Sequence, residues 1–397
     1  MRPVIEFPRY LKMDLPKGQS TFLWGARKTG KSYYLSKHFP DSIYYNLLKT
    51  DEYIRFLKQP YLLREEVQAL DNRNLSKPII IDEIQKVPAL LDEVHLLIET
   101  TPAYFILCGS SARKLKQQGV NLLGGRAWRY EFYPLCFPEI PEFNLLQALN
   151  HGLIPSHYGA KNWKKTLKSY VSDYLKEEIQ AEALVRNLRA FAEFLDLAAF
   201  SNGQLLNYAN IARDCGIDAK TIKEYYQILV DTLLGYYVLP YKSKNKREDI
   251  VATPKFYFFD VGVVNGLTKN SIDELRGASA GAALEHYILM ELIAYRGLNN
   301  LDFDIKFWRT ASGLEVDFIL GDAEVAIEVK INDRISAVDL HGLISFQKQY
   351  HPKQTLVVNT APRKRRLTID GNHVDILPWE TFLNMLWRGD IIPIDGQ

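Results

Sequence analysis

The sequence predicts an α/β protein built from three successive regions. Residues 18–140 alternate helical stretches with short β-rich runs, the rhythm of a parallel sheet with crossover helices; the runs are STFLW, SIYYN, PIIID and YFILC. From about 160 to 240 the pattern is helical, and after 250 β-rich runs return among helices. We therefore predict an α/β domain at 1–150, a mostly helical domain at 151–250 and a second α/β domain at 251–397.

Composition and charge narrow the class of protein. The 397 residues are 47% hydrophobic and 24% charged, a balance typical of folded globular domains. Basic and acidic residues number 49 and 47, and the resulting net charge of +2 is too small to attract polyanions by itself. Three widely spaced cysteines, Cys108, Cys136 and Cys215, argue against a disulfide framework and fit a reducing compartment. With no leader and no apolar run of membrane-spanning length, the sequence predicts a soluble, cytoplasmic protein.

The strongest motif lies between the first β-rich run and the helical stretch after it. It fits G-x-x-x-x-G-K-[ST], and its residues are Gly25, Ala26, Arg27, Lys28, Thr29, Gly30, Lys31 and Ser32. Glycines let such a loop turn its N–H groups toward phosphate oxygens, and the helix N-terminus adds its dipole. The motif therefore predicts an ATP site in which Lys31 bridges the β- and γ-phosphates and Ser32 ligates Mg²⁺.

Two further β-rich runs end in polar residues that suit the same site. The apolar run PIII ends at Asp82 and Glu83, which indicates a buried central strand that delivers carboxylates to the sheet edge. We expect Asp82 to hold the Mg²⁺ shell and Glu83 to polarise the attacking water. Ser110, after YFILC, suits a sensor of the γ-phosphate. The alternative for the acids is a solvated turn, and serine is also common in turns.

Four segments together resemble bacterial and archaeal AAA+-type ATPases with an uncharacterised, nuclease-like C-terminal region: GARKTGKS, IIIDEIQKVP, ILCGSSARKL and NLLGGRAWRYEFYPL. The resemblance is close over the ATPase motifs and looser elsewhere. It implies a P-loop NTPase domain and a ring-like homo-oligomer in which a neighbour's arginine completes the site. Arg113 and Arg126 match the family's arginine-bearing motifs. The sequence does not decide between them, and either arginine can instead pair with a surface carboxylate.

The helical middle contains a helix-turn-helix pattern followed by a basic hairpin, which resembles a winged helix. Gly216 is expected to end the first helix and Asp218 to cap the second. Helical spacing assigns a core face to the second helix, made of Ile222, Tyr226, Leu229 and Leu233. The outward face then holds Lys220, Thr221, Lys223 and Gln227. The expected hairpin tip carries Lys242, Lys244, Lys246 and Arg247. These residues predict DNA as a partner through phosphate contacts; the alternative is a packing module with a solvated loop.

The C-terminal region contains two strands joined by a turn at Gly321-Asp322. Period-2 counting places Glu328 and Lys330 on one face of the second strand. A two-residue hairpin would put Glu315 across from Glu328 and Asp317 diagonal to it. Because like charges directly opposite each other destabilise a sheet, a divalent cation is the expected reason for this cluster.

A fourth acid, Glu285, lies on the apolar stripe of the helical stretch ALEHYILMELIAYRG. The set resembles the PD-(D/E)xK nuclease core, which implies that Glu285, Asp317 and Glu328 surround Mg²⁺ while Lys330 steadies the attacking water or the phosphate. The alternative is a retained fold that does not cut, with Glu328 and Lys330 as a plain ion pair.

These patterns together predict an ATP-hydrolysing protein that acts on or binds DNA, with Mg²⁺-dependent cleavage as one outcome. Two alternatives stay open. One is a DNA-binding ATPase switch with an inactive nuclease fold. The other is a protein-remodelling or signalling ATPase whose winged helix binds a protein, and absence of DNA binding even at low salt would indicate it.

Overall fold

The computed structural model describes residues 6–111, 123–175, 187–242, 250–369 and 371–394, with the backbone alone at 173–175. The chain forms two compact units. The first is made of residues 7–135 and 228–234, and the second holds 136–227 and 235–397. Most of the segment predicted as a separate middle domain therefore shares a unit with the C-terminal region. The division at 150 and 250 stays a prediction.

The first unit is built on a five-stranded sheet whose neighbouring strands are all parallel, as the alternating pattern predicts. Its spatial order is β2-β3-β4-β1-β5. The strands are β1 Ser20–Trp24, β2 Tyr44–Asn46, β3 Ile79–Asp82, β4 Phe105–Gly109 and β5 Ala127–Glu131. Since parallel strands end at the same edge, the segments after β1, β3 and β4 meet there.

Helices cover this sheet because its central strands are apolar on both faces. Every residue of β1, β3 and β4 is buried, which requires packing from both sides. The α-helices are α1 Lys31–His38, α2 Thr50–Lys58, α3 Leu62–Gln68, α4 Asn72–Leu75 and α5 Leu90–Thr100, with 3₁₀ turns at Ile84–Lys86 and Leu123–Gly125. The start of α1 directly after the glycine-rich loop fixes the position of that loop.

The helical middle follows the predicted pattern. Its helices are α6 Leu145–His151, α7 Pro155–Tyr158, α8 Trp163–Ser169, α9 Leu188–Phe200, α10 Tyr208–Cys215 and α11 Ala219–Asp231, with a 3₁₀ turn at Phe137–Glu139 and a π-helical turn at Tyr170–Leu175. Gly216 ends α10 in the left-handed conformation at φ 66°. Asp218 accepts a hydrogen bond from the Thr221 backbone N–H at 2.8 Å. Both predicted helix signals are confirmed.

The two faces of α11 differ as expected, with one correction. Ile222, Tyr226 and Leu229 are buried, whereas Lys220 and Lys223 are exposed. The predicted fourth core residue, Leu233, does not belong to the helix, because α11 ends at Asp231.

An eight-stranded mixed sheet forms the rest of the second unit, in the order β12-β13-β11-β10-β9-β8-β6-β7. The strands are β6 Gly235–Pro240, β7 Lys255–Phe258, β8 Ile305–Arg309, β9 Glu315–Leu320, β10 Val325–Lys330, β11 Gln354–Asn359, β12 Arg365–Ile369 and β13 Asn372–Pro378. The helices are α12 Val261–Thr268, α13 Gly277–Leu298, α14 His341–Tyr350 and α15 Trp379–Arg388, with a 3₁₀ turn at Val338–Leu340. Helices α13 and α14 both pack on β10, which buries the centre of this sheet.

Strands β6 and β7 are antiparallel neighbours, with Gly235 opposite Phe258. They flank the predicted basic hairpin tip, of which Lys242 is exposed. Lys244, Lys246 and Arg247 lie outside the described residues. Within the described ranges, no helix is long and apolar enough to cross a membrane.

Candidate nucleotide site and carboxylate cluster

The glycine-rich loop connects β1 to α1 at the carboxyl edge of the first sheet. Gly30 caps α1 with φ 102°, a conformation that side chains other than glycine rarely adopt. A Cβ atom on Gly25 would lie 2.3 Å from the Phe132 carbonyl oxygen, so this position has no room for a side chain. Both motif glycines are therefore required by the backbone geometry of the loop.

The Lys31 side chain extends from the start of α1 into this loop. Its ammonium donates hydrogen bonds to the carbonyl oxygens of Gly25 at 2.5 Å and Ala26 at 3.1 Å. The side chain is buried. Phosphate oxygens are stronger acceptors than amide carbonyls for an ammonium group. The loop therefore holds Lys31 in a position from which it can exchange these carbonyls for a bound phosphate.

Asp82 connects the end of β3 to the start of α1. Its Oδ2 accepts hydrogen bonds from the hydroxyls of Ser32 and Tyr44, both at 2.7 Å. Its Oδ1 is buried and has no hydrogen-bond partner among the described residues. A carboxylate oxygen left open beside a serine hydroxyl fits a hydrated Mg²⁺, which takes oxygen ligands and keeps several waters. Burial, followed by the charge of Asp82, raises the pKa of Tyr44 well above its usual range.

Glu83 is held in an uncommon backbone conformation, with φ 62°. Its Oε2 accepts a hydrogen bond from Gln85 Nε2 at 2.5 Å, and the same nitrogen lies 3.0 Å from Ser110 Oγ. Burial raises the pKa of Glu83, while the charges of Arg27 and Lys31 oppose that shift. The left-handed backbone of Glu83 and its hydrogen bond from Gln85 fix one orientation of the carboxylate. Strained backbone conformations of this kind concentrate at functional sites.

In the C-terminal sheet, the predicted hairpin register is wrong by two residues. Leu320 pairs with Val325 and Phe318 with Ile327, because the loop spans residues 321–324 instead of two residues. Gly321 and Ala323 both have positive φ in this loop. The register therefore brings Asp317 opposite Glu328, where Glu315 was expected.

The acids of this sheet have protein partners at close range. Asp317 Oδ2 accepts a hydrogen bond from the Val329 backbone N–H at 2.7 Å, and Glu328 Oε1 lies 2.6 Å from Lys330 Nζ. Glu315 Oε2 lies 2.7 Å from Arg309. Burial, then the Glu328 charge, raises the pKa of Asp317 well above its usual range; burial also raises that of Glu328, against the opposing charge of Lys330.

The sequence interpretation missed a lysine and a tyrosine at this cluster, both from β7. Lys255 Nζ lies 2.7 Å from Glu315 Oε1 and 3.4 Å from Glu285 Oε1. Tyr257 donates a hydrogen bond of 2.5 Å to Glu285 Oε1. Residues 255 and 257 share a strand face, but β7 is remote in sequence from the acids. A lysine within an otherwise apolar strand was the available signal.

The predicted metal ligands do not converge on one point in the described residues. In the part of the chain that the structure describes, no three His, Cys, Asp or Glu side chains converge closely enough to hold a metal ion. The physical reason is that Glu285 turns toward Lys255 and Tyr257, and Asp317 toward the backbone of β10. The donor set therefore does not fit the predicted Mg²⁺.

Three family comparisons divide the chain. Residues 17–141 match the AAA domain family, which covers the glycine-rich loop, Asp82, Glu83 and Ser110. This segment is similar to AAA domains, and we call it the AAA-type domain. Residues 142–274 and 280–382 match two domains of unknown function, DUF8612 and DUF4143. Outside the AAA-type domain, the matched families therefore assign no activity.

Two curated relatives are uncharacterised proteins of Mycobacterium bovis and Mycobacterium tuberculosis, Mb2031c and Rv2008c. Each is 25% identical over 256 residues, which covers 61% of this chain and 56% of the relative. This chain thus matches about half the length of those relatives.

Two solved structures share a more distant likeness. The Walker-type ATPase PABY2304 of Pyrococcus abyssi is 15% identical with a TM-score of 0.41, over 62% of this chain and 90% of that chain. The Aeropyrum pernix ORC1 protein, solved in complex with DNA, is 11% identical with a TM-score of 0.28, over 64% of this chain and 87% of that chain. Scores this low carry no conclusion about this chain.

The first unit contains two side chains that the sequence interpretation missed. Arg9 donates to the Thr29 carbonyl oxygen in the glycine-rich loop at 2.6 Å, and its guanidinium lies 4.0 Å from the centre of the Phe132 ring. Gln85 lies over Gly109, where an added Cβ would come within 2.4 Å of Gln85 Oε1. The glycine at the end of β4, Gly109, was a usable signal for a close approach, whereas the sequence contains no such signal for Arg9.

The structure describes only one of the two candidate arginines of the AAA-type domain. Arg113 lies outside the described residues. Arg126 directly precedes β5, and Ala127 pairs with Ser20 at the start of β1. Arg126 is therefore at the amino edge of the sheet, a strand length from the loop that follows Trp24. Its side chain is 45% exposed and lies 2.7 Å from Glu99, the surface pairing considered as the alternative.

Proposed function

We propose that the AAA-type domain binds and hydrolyses ATP. The observation that carries this proposal is the carboxylate pair at the end of β3: Asp82 accepts a hydrogen bond from the Ser32 hydroxyl, and Glu83 accepts one from Gln85. Both carboxylates lie at the same sheet edge as the loop that holds Lys31. Phosphoryl transfer depends chiefly on positioning and electrostatic stabilisation, and this arrangement supplies both.

Each residue has a distinct role in this proposal. Backbone N–H groups of residues 25–32 bind the phosphates, and Lys31 stabilises charge that develops on the γ-phosphate. Ser32 and Asp82 would hold Mg²⁺, which neutralises phosphate charge when bound. Glu83 orients the attacking water and accepts hydrogen bonds from it in its ionised form. Gln85 links Glu83 to Ser110, so the γ-phosphate sensor and the water-orienting residue share one amide group.

We also propose that a homo-oligomer completes the site, with Arg126 reaching a neighbouring subunit. Arg126 is remote from its own glycine-rich loop, and its ion pair with Glu99 is a surface contact of small net energy. Hydrolysis per subunit is expected to fall at least about ten-fold on dilution through dissociation of the oligomer, a conservative value for an arginine acting in trans. Phosphate release across a concentration series, alongside light scattering, measures this.

The matched control is Arg129→Ala, which removes an exposed arginine from β5, the strand that directly follows Arg126. It should leave the concentration dependence intact, whereas Arg126→Ala should give a low rate at every concentration. A constant rate per subunit across measured dissociation contradicts assembly of the site.

DNA is the partner that we propose for the second unit. Lys220 and Lys223 are exposed on one face of α11, while Ile222 and Tyr226 are buried on the other. The antiparallel strands β6 and β7 flank the segment that carries the predicted basic tip. This combination supports a winged-helix-like module that contacts phosphates. Because the C-terminal donor set does not fit Mg²⁺, we favour binding of DNA without cleavage.

Duplex DNA is expected to raise the ATPase rate and to bind with a salt-dependent affinity. Alanine at Lys242, Lys244, Lys246 and Arg247 should reduce the slope of log affinity against log salt by as much as about 3.6, since each of four phosphates neutralised contributes about 0.9. Fluorescence anisotropy across a salt series measures the slope.

The matched control removes equal charge from the region of α8, at Lys161, Lys164, Lys165 and Lys168, all of which are exposed. Equal loss of slope in both variants contradicts a specific role for the tip. No DNA binding even at low salt would leave the protein-remodelling alternative.

A further inference from the structure

Lys255 is a buried cation at the carboxylate cluster of the second unit. Only 4% of its side chain is exposed, and its ammonium lies between Glu315 at 2.7 Å and Glu285 at 3.4 Å. Lysine is almost never fully buried unless it is paired. Burial opposes its charge, but Glu285, Asp317 and Glu315 outweigh that effect and raise its pKa. Lys255 is therefore charged in the folded protein.

The cluster contains cations of its own without a metal ion. Its cations are Lys255, Arg309 and Lys330, and its acids are Glu285, Glu315, Asp317 and Glu328. A divalent cation bound between Glu315 and Glu285 would have to displace the Lys255 ammonium, which lies 2.7 Å from the first and 3.4 Å from the second.

The oxygen atoms that a metal would need are already engaged by protein groups. Both oxygens of Glu315 are paired, Oε1 with Lys255 and Oε2 with Arg309. Glu285 Oε1 is shared by Lys255 and Tyr257. The backbone of Lys255 is held in the sheet by the pairing of β7 with β6, where Val238 lies opposite Lys255.

One acceptor is left over. Glu328 is only 7% exposed, and its Oε2 has no hydrogen-bond partner within the described ranges. A buried carboxylate oxygen without a donor is unfavourable, so this atom is available to a cation. Glu328 Oε2 is therefore an open acceptor of the cluster.

We propose that the Lys255 ammonium is the resident cation of this cluster and excludes divalent metal from it. The second unit then has no metal-dependent cleavage at this cluster. The proposal does not depend on ATP hydrolysis in the other unit, and its test is metal binding in the absence of nucleotide.

The test is Mn²⁺ binding to the full chain. The readout is the loss of the electron paramagnetic resonance signal of free Mn²⁺ as the ion binds. An Asp82→Asn background removes the candidate metal ligand of the AAA-type domain. In this background we expect no site that Asp317→Asn weakens. Adding Lys255→Met, which keeps the side-chain length and removes the charge, should create a site at least about ten-fold tighter, equivalent to about 1.4 kcal/mol. Asp317→Asn should abolish the new site.

The matched control is Lys353→Met, because Lys353 forms an exposed ion pair of 2.6 Å with Glu324. It should create no Mn²⁺ site. The proposal is overturned if the Asp82→Asn chain, with Lys255 intact, binds Mn²⁺ at a site that Asp317→Asn removes. That result needs no Lys255 variant, so it decides the question even if Lys255→Met fails to fold. A folded Lys255→Met chain without a new site also overturns it.

Discussion

Replacing Lys31 with alanine is expected to lower kcat for ATP hydrolysis by about 100- to 1000-fold, the loss typical of removing one preorganised donor from a transition state. The ammonium lies 2.5 Å and 3.1 Å from two carbonyl oxygens of the glycine-rich loop, where it can reach phosphate oxygens. No other residue in the motif supplies a buried ammonium. The change is measured by steady-state phosphate release from MgATP, at enzyme concentrations that give a rate above the background rate of hydrolysis.

The control for this substitution is Lys37→Ala, which removes an exposed lysine from the last turn of the same helix. The control should retain the native rate and the native melting temperature. If Lys31→Ala retains turnover within about ten-fold of native, phosphate stabilisation by this residue is contradicted. If the native chain has no turnover at any concentration that forms oligomers, ATP hydrolysis itself is contradicted.

Replacing Glu83 with glutamine is expected to lower kcat by about 100- to 1000-fold while ATP still binds, because a general base contributes about 10²- to 10⁴-fold. An amide keeps the shape of the side chain, yet it accepts hydrogen bonds weakly and carries no negative charge. Nucleotide affinity from equilibrium titration should change little, since Glu83 faces the water and Lys31 the phosphates. The diagnostic result is a bound ATP that is not turned over.

Replacing Gln85 with leucine tests whether Gln85 acts on hydrolysis through the Glu83 carboxylate. Gln85 donates to Glu83 and so opposes the rise in the pKa of that carboxyl group. Without this donor the pKa of Glu83 rises further, and because the ionised form is active, the acidic limb of the kcat profile moves to higher pH. We expect a loss of about ten-fold in kcat, the scale of one hydrogen bond to a charged group, with KM unchanged. An unshifted acidic limb would show that Gln85 is structural only.

The AAA-type domain was predictable because its signals are local. The motif at 25–32 lies between a strand and a helix that the sequence indicates directly, and the structure places β1 at Ser20–Trp24 and α1 at Lys31–His38. Asp82 and Glu83 follow a fully apolar run, which identifies a buried strand and its carboxyl end. Since parallel strands bring these ends to one edge, the meeting of Asp82 with Ser32 follows from the pattern.

The C-terminal cluster was predictable only in part. Period-2 alternation places Glu328 and Lys330 on one strand face, and the structure pairs them at 2.6 Å. The register of the hairpin depends on loop length, and Gly321-Asp322 indicates a two-residue turn as readily as the longer loop observed. A shift of two residues keeps every side chain on its face but exchanges Glu315 for Asp317 opposite Glu328.

Four features can be predicted from the amino-acid sequence because contiguous residues encode each of them: the parallel sheet, the glycine-rich loop, the acids at the end of β3 and the two helices around Gly216. Tertiary structure alone decided what neutralises the C-terminal acids. Lys255 reaches Glu285 and Glu315 from another strand, and Arg9 reaches the loop carbonyl of Thr29 from a distant segment. Hydrophobic periodicity specifies which face of an element is buried, whereas the partner of a buried charge is set by how separate elements pack together.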